Sequence, residues 1–264
     1  MIHLFALLSL LLCGVCYTGF QNSSHFHNTS NRRSLLLLVF GGALLLRLLL
    51  AYTTHGFSND IACFAAWADR IFTLGPGQFY SAEMFTDYPP GFMYVLYLIG
   101  ALRSLLQIPY YSDLHILLLK LPAILCDIAC GFLLYREAVK RLHFSDLQGI
   151  FAASAYLFQP AVILNSSCWG QVDSVYTLMI ILMCLFLMKG NLLPAYAVYG
   201  LGVLLKPQML IFTPVLLAGI WDHVFLQDFS WRKFFYNLCG GLVVICGMLL
   251  LCAPFGLTAA ISQY

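Results

Sequence analysis

Long runs of apolar residues constrain this chain more than any other feature. A helix needs about 17 to 25 mostly apolar residues to cross the hydrocarbon core of a bilayer. Seven segments approach or meet that length, namely residues 34–52, 114–135, 147–165, 173–188, 191–205, 207–221 and 234–253. Only 9% of the 264 residues are charged and 61% are hydrophobic, which leaves too few polar groups to cover a water-soluble domain. The sequence therefore predicts an all-α, multi-pass membrane protein with about seven transmembrane helices.

Charge and cysteine content argue against several other classes of protein. The net charge is only +2 and the basic residues are dispersed, so no nucleic-acid partner is expected. Most of the ten cysteines lie in apolar runs, where cysteine behaves as a small hydrophobic residue. Cys13 and Cys16 have CxxC spacing without partner ligands, and the acidic residues lack the compact spacing of a metal site. We therefore predict no metal site and no firm cofactor; a divalent cation is not favoured.

A further apolar stretch at residues 92–108 decides the topology. If it lies along the interface, eight of the thirteen Lys and Arg residues fall on one side, as the positive-inside rule expects of the cytoplasmic face. Its tyrosines, Tyr94 and Tyr97, are typical of an interface, and Arg103 interrupts a run already short for a span. We therefore predict an outer loop at residues 53–113 that carries interfacial helices, and an outer hairpin at residues 168–173.

The first 33 residues are interpreted separately from the module at residues 34–264. Residues 4–13 resemble a signal-peptide core, but no positively charged region precedes them, so an extra amino-terminal span is the alternative. Residues 21–31 are rich in Ser and Asn and predict a flexible linker. Asn165 begins one of three Asn-X-Ser/Thr patterns, which are acceptor patterns for N-glycosylation. Patterns this short also arise by chance.

Four polar motifs interrupt the apolar runs, and the predicted topology places all of them on the outer face. They are Asn59-Asp60 with Trp67, Asp87-Tyr88-Pro89-Pro90-Gly91, Trp169-Gly170-Gln171-Val172-Asp173-Ser174, and Lys206-Pro207-Gln208. Carboxylates, aromatic rings, amides and a lysine at one membrane surface favour a reaction centre over a packing core.

In their order and spacing, these motifs resemble the membrane glycosyltransferases of the GT-C class. The resemblance is to the family of the enzyme that adds the second mannose of GPI anchors, particularly its bacterial branch, and it covers about residues 34–256. It implies inverting transfer of a sugar, mannose, from a polyprenyl-phosphate donor to a glycan or lipid-linked acceptor. It also implies a bacterial cytoplasmic membrane, with the endoplasmic reticulum membrane as the alternative. Members of that family are longer, so a missing carboxy-terminal part or a partner subunit is expected.

The resemblance implies that Asp60 is the catalytic base, with Trp67 on the same helix face in a wall that contacts the sugar. The alternative role of Asp60 is to cap a helix that starts at Ile61. Sugar or acceptor binding is assigned to Tyr88, whose motif restricts the backbone, and to the hairpin residues Trp169, Gln171 and Asp173. Helix capping by Asp173 and interfacial anchoring by Trp169 are the alternatives.

Three residues are candidates for the donor phosphate. Lys206 is expected at the outer surface with Gln208 as a neighbouring donor, and snorkelling to lipid headgroups is the alternative role of this lysine. Lys120 and Asp127 lie seven residues apart on one predicted helix and should face the protein interior, where they would meet Arg47 or the phosphate.

Two rival functions remain open at this point. A transporter or channel would place its ionisable residues along a path at mid-depth, for which Arg47, Lys120 and Asp127 are the candidates. A non-catalytic subunit of a glycosyltransferase complex is the other alternative, suggested by the expected missing portion.

Overall fold

The computed structural model describes residues 2–22, 32–80, 85–227 and 229–256, and all regular structure in these ranges is helical. The α-helices are α1 (Ile2–Asn22), α2 (Arg32–Thr53), α3 (Ser58–Leu74), α4 (Pro90–Leu105), α5 (Asp113–Lys140), α6 (Asp146–Leu157), α7 (Pro160–Ile163), α8 (Asp173–Met188), α9 (Leu192–Leu205), α10 (Thr213–Trp221) and α11 (Trp231–Cys252). Short 3-10 turns lie at Pro76–Gln78, Pro207–Phe212 and Ala253–Phe255, and π-helical turns lie at Leu164–Trp169 and Asp222–Leu226.

The all-α membrane fold is confirmed. Within the described ranges, four helical segments are long and apolar enough to cross a membrane, namely Arg32–Thr53, Asp113–Lys140, Pro207–Leu226 and Trp231–Phe255. A bent pair, Asp146–Leu157 with Pro160–Trp169, makes a fifth if it counts as one span. The expected helices α8 and α9 form but have only 16 and 14 residues, so length supports four or five spans rather than about seven.

The amino-terminal segment forms helix α1, which packs on α6. Gly19 lies directly against the ring of Phe151 and leaves no room there for a side chain. Residues 23–31, most of the predicted linker, lie outside the described ranges, as do residues 81–84 of the predicted outer loop. Whether α1 acts as a signal or as a span stays a prediction.

The chain divides into two compact units. The first unit contains Met1–Ala62 and Tyr110–Ser174, and the second contains Cys63–Pro109 and Val175–Tyr264. Helix α3 begins in the first unit and continues into the second.

In the first unit, α2, α5 and α6 surround a small apolar core. Its buried members are Ala43, Tyr135, Ile150, Ala153 and Leu157. Ser112 caps the start of α5, and a capping box of Ser145 and Gln148 begins α6, so both helices start at positions that their sequences specify.

A fully buried ion pair ties this unit together. The Nε of Arg47 on α2 donates to Oδ2 of Asp127 on α5 at 3.1 Å, and both side chains have 0% exposure. Ser166 Oγ donates to the same oxygen at 2.6 Å. Oδ1 of Asp127 accepts from Tyr156 at 3.3 Å and from Ser174. These donors offset the desolvation of a carboxylate that would otherwise be costly inside a membrane protein. The predicted pairing of Asp127 with Arg47 is confirmed.

The predicted single span at residues 147–165 is wrong in one respect, because the helix is broken. α6 ends at Leu157, Pro160 starts α7, and the two segments are bent by 51°. Proline removes a backbone donor and clashes with the preceding turn, which accounts for the break. The π-helical turn at Leu164–Trp169 that follows buries Ser166 and Ser167.

In the second unit, α8, α9 and α10 contribute to an apolar core. Its buried residues are Met183, Leu192, Ala195, Tyr196, Met209, Leu216 and Val224. Helix α4 packs closely on two neighbours through glycines, since Gly91 lies on the backbone of Leu204 and Gly100 lies on the carbonyl of Ala68. The placement of α4 along the membrane interface stays a prediction.

Two arginines of α2 allow a matched test of the buried pair. Arg47→Gln leaves Asp127 as a buried charge without its cation, and we expect a loss of about 3 to 5 kcal/mol in stability. Arg32 pairs with Asp146 at 3.2 Å but is half exposed, so Arg32→Gln should cost about 1 kcal/mol or less. Thermal unfolding of the purified chain in detergent measures both, and equal shifts for the two variants would contradict the structural role of the pair.

Candidate functional site

The Asp60 carboxylate lies at the centre of a polar cluster in the first unit. Its Oδ2 accepts a hydrogen bond from Trp169 Nε1 at 2.9 Å and another from Gln171 Nε2 at 2.5 Å. The ring of Phe57 lies 5.2 Å from that of Trp169, and both residues are exposed. Three of the predicted site residues are thus brought together from motifs that are more than a hundred positions apart.

Asp60 is not a helix cap. Helix α3 begins at Ser58, so Asp60 lies in its first turn, where a negative charge interacts favourably with the helix dipole. The alternative in which it caps a helix starting at Ile61 is therefore wrong. Trp169 likewise does more than anchor the chain at an interface, because its indole N–H is committed to this carboxylate.

A second contact closes the hairpin that carries Trp169 and Gln171. Asn165 Nδ2 donates to Asp173 Oδ2 at 2.9 Å, and the backbone N–H groups of Gly170 and Gln171 donate to Asn165 O. Gly170 has φ +89°, a conformation that favours glycine. Asp173 is the first residue of α8 rather than the cap of a helix that begins at Ser174, and its side chain fixes the hairpin. Asn165, which begins one of the short glycosylation patterns, thus uses its side-chain amide within the hairpin.

Lys120 joins two helix ends in the interior of the first unit. Its Nζ donates to Ala51 O at 3.2 Å and to Thr54 O at 2.7 Å, both at the end of α2. It also donates to Ser167 O at 2.9 Å in the π-helical turn and contacts Thr54 Oγ1 at 3.1 Å. A cation is favourable at helix carboxyl ends, where carbonyls lack partners. The predicted interior position is confirmed.

The predicted role of Lys120 in phosphate binding has no support in this geometry. An ammonium group carries three N–H donors, and four protein oxygens already surround this one. The side chain is also fully buried.

In the second unit, Trp67 and Tyr88 belong to a buried aromatic cluster with Phe64 and Phe92. Ring centroids within this cluster are 5.2 to 5.7 Å apart. Trp67 Nε1 donates to Phe85 O at 3.0 Å. Tyr80 donates from its hydroxyl to Tyr88 O at 2.9 Å, and burial raises the pKa of this hydroxyl above its ordinary value. Both predicted sugar contacts therefore pack as core residues.

Lys206 is buried rather than at the surface. Its Nζ lies 5.6 Å from the ring centroid of Tyr88 and 5.7 Å from that of Tyr176, and its exposure is 8%. Cation–π attraction is stronger away from water, which explains how a lysine is accommodated here. The snorkelling alternative is wrong, whereas phosphate binding stays a prediction. Gln208 is exposed and lies in the 3-10 turn at Pro207–Phe212.

Sequence reasoning missed several partners in these clusters. Thr54, Phe57, Asn165, Ser167 and Tyr176 provide the contacts described above, yet most are neutral polar or aromatic residues of kinds found throughout the chain. Only Asn165 carried a signal, as the start of an Asn-Ser-Ser pattern just before the Trp169 motif. In the part of the chain that the structure describes, no group of three or more His, Cys, Asp or Glu side chains could hold a metal ion.

A family model described as GPI transamidase subunit PIG-U matches residues 32–264. The chain belongs to the PIG-U family. No curated protein matches it.

Membership of the PIG-U family changes the interpretation of the motifs. It agrees with the predicted multi-pass membrane protein and replaces the mannosyltransferase family as the assignment of this chain. The expectation of a bacterial membrane gains no support from it. The alternative of a subunit in a complex fits this family better than the predicted glycosyltransferase does.

Two lysines of α5 test the role of Lys120. Lys120→Met leaves buried carbonyls at two helix ends without a donor, and each unsatisfied group costs about 1 to 3 kcal/mol. We expect a marked fall in the thermal unfolding temperature of the purified chain. Lys140→Met, at the exposed end of the same helix, should change stability by about 0.5 kcal/mol or less. A Lys120→Met variant as stable as Lys140→Met would remove the helix-joining role.

Proposed function

We propose that this PIG-U family chain is a non-catalytic membrane subunit of a GPI transamidase complex. The observation that carries the proposal is the family match, which extends over residues 32–264 and so includes both units. The subunit would position a glycolipid or a protein substrate for chemistry performed by a partner chain. The membrane of the endoplasmic reticulum is the location that we propose for it.

Except for Asp113–Lys140, the long helices leave most of their apolar surface uncovered within the chain. In Trp231–Phe255, only 6% of the 18-residue apolar stretch is buried within the chain, compared with 56% of the corresponding stretch in Asp113–Lys140. Arg32–Thr53 and Pro207–Leu226 are each 17% buried. Helices with so much uncovered apolar surface require lipid or the helices of partner subunits around them.

The cluster at Asp60 supports contact with a sugar. Trp169 and Phe57 present exposed aromatic faces, and Asp60 and Gln171 supply an acceptor and an amide beside them. Aromatic faces pack against the apolar side of a sugar ring, while carboxylates and amides bond its hydroxyls. We propose that this cluster contacts the glycan part of the glycolipid.

Association with the complex is the first test. The tagged chain, expressed in cells that lack their own PIG-U subunit, should co-purify with the remaining transamidase subunits from detergent-solubilised membranes. It should also restore a GPI-anchored reporter at the cell surface, measured by flow cytometry. A chain that reaches the membrane in normal amounts but neither co-purifies nor restores the reporter would overturn the subunit proposal.

Within that assay, Trp169→Ala tests the glycan contact. The variant should assemble normally, because the side chain is half exposed, but should restore the reporter poorly. Leu210→Ala is a control at another exposed apolar residue and should behave as the parent does. Equal rescue by the two variants would remove the Asp60 cluster from the proposal while leaving the subunit role intact.

Glycosyl transfer is the second candidate, and the position of the Asp60 carboxylate at a partly exposed cluster favours it. In that reaction Asp60 would accept the proton of an acceptor hydroxyl as the hydroxyl oxygen attacks the sugar and the polyprenyl phosphate leaves. Asn keeps the shape of the side chain but is a poor base, so Asp60→Asn should lower transfer roughly 10²- to 10⁴-fold with little loss of stability. Transfer from radiolabelled polyprenyl-phosphate mannose by membranes carrying each form is the measurement. No transfer by the parent chain would exclude this candidate.

A further inference from the structure

A cavity lined by both polar and apolar residues lies in the second unit. It has a volume of about 590 Å³. α8 ends at Met188 on its border, and the π-helical turn at Asp222–Leu226 ends the span that includes α10. Its polar lining consists of Lys189, Asp222, His223 and Gln227, while Leu187 and Val215 are among its apolar lining residues. A cavity lined by both charged and apolar side chains matches an amphiphile rather than a free ion.

The charged groups are arranged by specific contacts. Gln227 Nε2 donates to Asp222 Oδ2 at 2.8 Å, which fixes the carboxylate. Gly190, with φ +70°, turns the chain after α8, and a Cβ added there would lie 2.8 Å from the His223 ring. Glycine at this position therefore permits the imidazole and the Lys189 segment to come close together.

Aromatic residues that neighbour the cavity residues in the chain are typical of the membrane–water interface. The rings of Trp221, Phe225, Phe229 and Trp231 form a chain of contacts, with centroid separations of 4.7, 5.8 and 5.2 Å. Both tryptophans are more than half exposed. Exposed tryptophans are enriched at the depth of lipid headgroups, where their rings are partly in hydrocarbon and partly in water.

We propose that this cavity holds the headgroup of a zwitterionic phospholipid, with the phosphate at Lys189 and His223 and the ammonium at Asp222. Lys189 and Asp222 on the lining carry charges opposite to those of the phosphate and the ammonium. The apolar lining residues accommodate the first carbons of an acyl chain. An anionic headgroup without an ammonium would instead face the Asp222 carboxylate. This site goes beyond the proposed subunit function and does not depend on it.

Lipid binding to the purified full chain provides the test. Native mass spectrometry in detergent, with titration of phosphatidylcholine and of phosphatidylglycerol, should show one retained lipid and tighter binding of phosphatidylcholine. Lys189→Gln should weaken phosphatidylcholine binding roughly threefold to fivefold, the range of one exposed charge contact. Lys140→Gln removes an exposed helix-end lysine of the first unit and should leave binding unchanged.

Asp222→Asn provides the independent arm of the experiment. Without the carboxylate, the chain should lose its preference for phosphatidylcholine and bind phosphatidylglycerol at least as well. Three results would each overturn the proposal. They are equal effects of Lys189→Gln and Lys140→Gln on lipid binding, a parent chain that prefers phosphatidylglycerol, and displacement of the lipid by inorganic phosphate. Size-exclusion profiles and helicity identify misfolded variants, and His223→Gln replaces Lys189→Gln if that variant fails to fold.

Discussion

The carboxylate of Asp127 is the interaction on which the first unit depends. It accepts hydrogen bonds from Arg47 on α2, Tyr156 on α6, Ser166 in the π-helical turn and Ser174 in the first turn of α8. A buried charge costs several kcal/mol unless its lone pairs are used, so the four donors must be present together. The carboxylate thus selects one arrangement of these elements among the many that apolar packing alone would allow.

The broken helix between α6 and α8 is made possible by this polar interior. A chain that bends and adopts a π-helical turn leaves carbonyl groups without partners, which hydrocarbon cannot satisfy. Lys120 supplies the missing donors at Ser167 and, on α2, at Ala51 and Thr54. The irregular segment can then present Trp169 and Gln171 to Asp60 at one end of the unit. The buried charge of Lys120 and the exposed cluster at Asp60 therefore depend on the same irregular segment.

The sequence was sufficient for the long apolar helices and for the interior charges, but not for the break after α6. Apolar length predicts α2, α5 and α11, and the cost of charge in hydrocarbon predicts that Lys120 and Asp127 face inward. It was not sufficient for Lys206, because the rings that surround it, Tyr88 and Tyr176, come from distant parts of the chain. The same motifs predicted a mannosyltransferase family, whereas the chain belongs to the PIG-U family. Short motifs at a site do not by themselves specify the chemistry of the protein that carries them.

The two fully buried charges of α5 make this helix sensitive to the number of residues between them. Lys120 and Asp127 are separated by about two helical turns, so both point to the same side of α5. Inserting or deleting one residue between them would rotate one charge by about 100° relative to the other. Such a change cannot be absorbed by repacking flexible apolar side chains, because each charge has fixed directional partners. This stretch of α5 should therefore tolerate substitutions among its apolar residues but keep a constant number of residues during evolution.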